Sequence, residues 1–210
     1  MKKKFIVLGV LFAAFGFTKT NAQINLGDKA IGAVQKGVTA FTLTNADAAA
    51  LSKEAGAKMD AENEVAGPTD GYTLRLNRVF GKYTAGDGYT LNYKVYKVKD
   101  VNAFATADGS VRVYSGLMDI MDDNELLAVI GHEIGHVANN DSRDAMRAAY
   151  QKEAVIDGVS SQSAKISSLS DTQLVKMGSA MIDSKHSRKQ ESEADLFSYN
   201  FLKKNGYDVN

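Results

Sequence analysis

The stretch Val129-Ile130-Gly131-His132-Glu133-Ile134-Gly135-His136-Val137 carries the residues best suited to chemistry. On a helix, His132 and His136 stand one turn apart on one face. Two imidazoles so placed can hold one zinc ion, with Glu133 beside them as a base. Such a centre needs a third protein ligand and an open position for water. The chain has no cysteine and only three histidines, so the remaining ligand must be His, Asp or Glu.

A second helical stretch, Glu191-Ser192-Glu193-Ala194-Asp195, supplies candidates. Glu191 and Asp195 are four apart and share a face. The expected division of labour makes Glu191 the zinc ligand. Asp195 then accepts the free ring N–H of a ligand histidine, His132 first, fixing its tautomer. Glu193 points elsewhere. A His-His-Glu set with one open position is the composition of a catalytic zinc site. His186 has three readings: an exposed residue of a cap segment, a cleft residue that stabilises the transition state, or a replacement for Glu191. Gly131 and Gly135 each cost about 1 kcal/mol of helix stability relative to alanine. They make sense where another backbone or a substrate comes close.

The elements that must position these groups are mostly helical. Asn45 is the expected cap of a helix from Ala46 to about Glu64. Leu74, Leu76, Val79, Phe80 and Tyr83 suggest a second helix, ended by Gly81 and the 86–88 turn. Tyr89, Leu91, Tyr93 and Val95 alternate as in a half-buried strand. Val101–Ala105 and Val111–Tyr114 read as two more, joined by a turn at 107–110. Gly116–Met121 is a short helical piece. Asp122, Asp123 and Asn124 are cap candidates for the HExxH helix, and Asn139-Asn140-Asp141 closes it. Helices follow over Ser142–Gly158, Asp171–Ile182 and Arg188–Lys204, the last capped by Ser187 and stopped by Asn205-Gly206. Ser160–Ser170 reads as a connection. The expected class is α+β, mostly helical, with a small sheet beside the HExxH helix.

The chain begins as a secretory signal peptide does, with three lysines, an apolar run over Phe5–Phe17 and small residues Thr20 and Ala22. The expected organisation is a signal peptide at 1–22, an arm or helix at 23–45 and a metallopeptidase domain at 46–210. The expected location is the periplasm or the exterior, with no stable transmembrane segment after cleavage. Loss of residues 1–22 removes four lysines and no acids, leaving 21 basic and 25 acidic residues. A mildly acidic protein has no electrostatic case for nucleic acid.

These residues, with Val101-Asn102-Ala103-Phe104-Ala105, Gly109, Val111, Val113, Gly116-Leu117, Glu125-Leu126-Leu127-Ala128 and Ser187-Arg188-Lys189-Gln190, resemble the HtpX and CAAX prenyl endopeptidase family of zinc metallopeptidases. The similarity is closest to its soluble periplasmic branch, of the BepA kind, and runs from about Ala46 to Asp208. The resemblance implies a gluzincin fold. It also implies His132, His136 and Glu191 as ligands of one zinc ion, and Glu133 as catalytic base. A polypeptide substrate would lie along the 101–105 strand, with Phe104 serving both core and cleft. Two departures stand out. Asn140 and Asp141 occupy positions where relatives carry Arg-His, and the chain stops at Asn210, short of a segment that relatives continue into. They motivate a second reading, a zinc-bearing chaperone-like or regulatory module with little proteolytic turnover.

Overall fold

A computed structural model describes residues 44–83, 85–86, 89–156, 169–207 and 209. The expected signal peptide, most of the 23–45 arm and most of the serine-rich connection lie outside the described residues.

Helix α1 spans Asn45–Glu62. Its cap is Thr44 rather than Asn45: the Thr44 hydroxyl accepts from Asp47 N–H, and the Asp47 carboxylate accepts from Thr44 N–H. Helix α2 spans Gly71–Phe80, capped by Asp70. Leu74 is exposed, and Leu76, Val79 and Phe80 make the buried face. Two short strands, β1 (Ala85–Gly86) and β2 (Tyr89–Thr90), pair antiparallel. The single alternating strand expected over 89–95 is thus divided: β3 begins at Asn92 and runs to Tyr96. Strand β4 covers Ala103–Ala105, shorter than the expected 101–105, and β5 covers Ser110–Tyr114. The order is β3-β5-β4, with β3 parallel and β4 antiparallel to β5. Then follow α3 (Ser115–Ile120), α4 (Asp123–Ala138), α5 (Asp141–Ile156), α6 (Asp171–Ile182) and α7 (Arg188–Lys204). The class is α+β, mostly helical, with the small sheet beside α4 as expected.

The three-stranded sheet is a middle layer. One face presents Val95, Ala103, Ala105, Val111 and Val113 to Phe80 of α2 and to Leu127, Ile130 and Ile134 of α4. The other presents Tyr96 and Phe104 to Leu51 and Met59 of α1, Met146 of α5 and Met177 of α6. Alternate side chains of a strand face opposite ways, so both sets are buried. Phe104 therefore belongs to the layer away from α4, packed between the rings of Tyr96 and Tyr114.

Arg112 points into that same layer and is buried. A buried guanidinium demands partners. Its Nε and Nη2 donate to the two carboxylate oxygens of Asp60 on α1, at 2.8 and 3.0 Å. Lys94 and the Tyr96 hydroxyl also donate to Asp60, each at 2.7 Å. This ionic cluster fastens α1 to the sheet.

Candidate metal centre

Helix α4 is held at its start. Asp122 accepts from Asn124 N–H and Glu125 N–H, and Glu125 accepts from Asp122 N–H. Arg75 of α2 donates to the Met118 and Met121 carbonyls and to Asp123. The apolar side of α4 is buried against the sheet, which turns the side bearing His132 and His136 toward α7.

Gly131 and Gly135 explain how closely α7 lies. A Cβ on Gly135 would sit 2.9 Å from the Ala194 Cα and from its carbonyl oxygen; one on Gly131 would sit 2.7 Å from the Ser198 Oγ. The close approach left open by the sequence is thus that of the α7 backbone. Ser198 fixes the register by donating to the Ala128 carbonyl at 2.8 Å. One turn and two turns earlier on α7 come Asp195 and Glu191.

The resulting geometry converges. His132 Nε2 and His136 Nε2 are 3.1 Å apart. The Glu191 carboxylate oxygens lie 3.5 Å from the first and 3.8 Å from the second. His132 Nδ1 donates to Asp195 at 2.8 Å, and His136 Nδ1 donates to Asp141 at 2.9 Å. In neutral imidazoles that carry the proton on Nδ1, both Nε2 atoms present bare lone pairs. Two lone pairs and a carboxylate so close repel one another unless a cation lies among them. The donor set of two imidazoles and one carboxylate suits a divalent metal, and the spacings suit bonds of about 2.0–2.2 Å. These residues fit the ion.

Glu133 is half-buried on the same helix. Burial first, and then the charge of Glu191, push its carboxyl up to about 8. A cation held by the neighbouring residues acts in the opposite sense and favours the carboxylate. His186 is not the exposed cap residue of the first reading. Its ring stacks on that of His136, with centroids 3.9 Å apart and planes at 18°. Burial and the neighbouring His136 hold its pKa below the ordinary imidazole value. It groups with His136 and Asp141 rather than with the pair of Nε2 atoms.

Two residues of this arrangement escaped the sequence reading. Asp141 does not close α4; it opens α5 and is buried against His136. Asn140, at φ 67°, makes the reversal that brings it back, in a region that asparagine tolerates. Gln190 donates from Nε2 to the other Asp141 oxygen at 2.8 Å. Its signal was legible as the fourth residue of Ser187-Arg188-Lys189-Gln190, a capping-box pattern.

A helix-borne pair of histidines, a carboxylate from a second helix and an adjacent glutamate are the parts from which metal-dependent hydrolases are built. The comparisons give it a family. The profile of peptidase family M48 matches residues 75–210, and the chain belongs to that family. Metalloprotease YcaL of Escherichia coli (strain K12) is 45% identical over 178 residues, covering 83% of this chain and 70% of that protein. Metalloprotease LoiP of the same strain is 42% identical over 168 residues, covering 80% and 67%. Protease HtpX of Xanthomonas euvesicatoria pv. vesicatoria (strain 85-10) is 42% identical over 78 residues, covering 35% and 26%. The chain is a metalloprotease, a hydrolase that acts on polypeptides. Among the described residues no helix is long and apolar enough to cross a membrane.

Proposed function

We propose that this chain is a zinc endopeptidase whose ion is held by His132, His136 and Glu191, with Glu133 as general base. The observation that carries the reading is the meeting of two bare Nε2 atoms, 3.1 Å apart, with the Glu191 carboxylate at 3.5 and 3.8 Å. The ion, when bound, supplies Lewis acidity, polarising a peptide carbonyl and lowering the pKa of water to about 7. Glu133 takes a proton from that water and passes it to the departing amine nitrogen. Asp195 and Asp141 keep the two imidazoles in the tautomer that leaves Nε2 free.

The substrate is an extended polypeptide laid along β4. This strand is at the sheet edge and packs against α4. Thr106 N–H donates to Ser110 C=O and Tyr114 N–H to Asn102 C=O, so by the alternation of an antiparallel ladder the Ala103 and Ala105 backbone groups face away from β5. A peptide can add there by main-chain hydrogen bonds. Ser142 donates to the Ala105 carbonyl at 2.9 Å, which limits the addition at that end. The signal-like leader supports export to the periplasm, and misfolded or envelope proteins are the substrate class that location offers.

The test pairs zinc content with cleavage of an unfolded protein such as casein. Glu133→Gln should keep zinc and lose turnover by about 10²–10⁴-fold. Glu191→Ala should lose both. Casein cleavage by Glu133→Gln at the wild-type rate would exclude the general-base role.

A further inference from the structure

The start of α7 does more than deliver Glu191. Gln190 is the hub of a polar chain that begins at the helix cap and ends at an imidazole. Its Oε1 accepts from the Ser187 backbone N–H and from the Ser187 hydroxyl, each at 2.9 Å. A backbone N–H only donates, so the atom facing it must be the amide oxygen. The amide nitrogen is thereby turned the other way, onto Asp141 Oδ1 at 2.8 Å. Asp141 must accept there. Its Oδ2 faces His136 Nδ1 at 2.9 Å, and an ionised carboxylate can only accept from it. The proton of His136 is thus placed on Nδ1 and its lone pair on Nε2. Asp141 is buried, so water does not substitute for either partner. His186, four residues before Gln190, covers the face of the same ring.

We propose that Gln190 is a positioning residue which holds the Asp141 carboxylate in place and, through it, the orientation of the His136 ring, and so sets the affinity of the metal centre. It touches neither substrate nor ion. The proposal rests on the reading of His136 as a metal ligand. Outer partners of ligand histidines typically change metal affinity 10- to 100-fold. Gln190 is one step further out, and its amide N–H holds the Asp141 carboxylate in the place from which it accepts from His136 Nδ1. His132 has a different arrangement, since its partner Asp195 is largely exposed and open to water.

The experiment measures zinc affinity of the full chain by competition with a chromophoric chelator, for wild type, Gln190→Met and Ser187→Ala. Ser187→Ala removes the capping hydroxyl but keeps the Gln190–Asp141 bond. It should lower the melting temperature and leave zinc affinity unchanged. Gln190→Met should weaken zinc binding by about 10-fold or more. Nitrogen NMR of the metal-free wild type supplies a readout that needs no variant: His136 should carry its proton on Nδ1. Metal-free Gln190→Met should keep that tautomer, since Asp141 still only accepts, but its Nδ1 proton signal should shift or broaden as Asp141 and the ring lose their fixed orientation. Wild-type zinc affinity in folded Gln190→Met, equal losses in both variants, or a proton on Nε2 of His136 in wild type would each overturn the proposal while leaving the metal centre standing. Failure of wild type to bind zinc would instead overturn the metal centre itself, and this inference with it.

Discussion

Gly135 of α4 and Ala194 of α7 meet so closely that a methyl group on the glycine would lie 2.9 Å from the alanine Cα. The contact falls one residue before His136 and one before Asp195. The separation of the two helices, and hence the distance from Glu191 to the imidazoles, is set there. Gly135→Ala tests this. Alanine is the better helix former by about 1 kcal/mol. Overpacking against a backbone costs about 1–3 kcal/mol. The expected outcome is a lower melting temperature together with weaker zinc binding. A more stable variant with unchanged affinity would show that the helices can part freely.

Asp195 is the partner of His132 at 2.8 Å although its own side chain is largely exposed. Asp195→Ala should weaken zinc binding by about 10–100-fold in a chelator competition. Asp195→Asn, which can still present an oxygen to Nδ1, should lose less. The order reversed would remove Asp195 from its orienting role.

The ionic cluster on the far face of the sheet governs stability rather than the site. Arg112→Met leaves Asp60 with Lys94 and Tyr96 but without its bidentate partner. The expected cost is about 3 kcal/mol, or roughly 10 °C in melting temperature. Burial works to raise the pKa of Asp60, but the hydrogen bonds from Arg112, Lys94 and Tyr96 outweigh it and hold the carboxyl below its ordinary value. A group depressed on folding stabilises fully above its unfolded pKa, about 3.9, and that contribution is lost as pH falls through the folded value. Acid unfolding should therefore be steeper in wild type than in Asp60→Asn. Parallel acid-unfolding curves would contradict the assignment.

Local arithmetic explains what was legible in the sequence. His132 and His136, and likewise Glu191 and Asp195, share faces because four residues make about one helical turn. Helix ends at Ser187 and Asp122 follow from side chains that satisfy their own first turns. The place of Asp141 depends on a single left-handed residue, Asn140, which helical periodicity does not announce. Asp60 and Arg112 are 52 residues apart, and no local rule joins them. The layer that Phe104 meets is not legible locally, because alternation tells that neighbouring residues face opposite ways, not what each face packs against. Gly131 and Gly135 announced a close approach without naming the partner.

The most direct test of the central claim is anomalous diffraction at the zinc edge from crystals of the full chain grown with zinc. The account predicts a peak contacted by His132 Nε2, His136 Nε2 and a Glu191 oxygen. A peak among His136, Asp141 and His186 instead, with Glu191 turned to solvent, would contradict it.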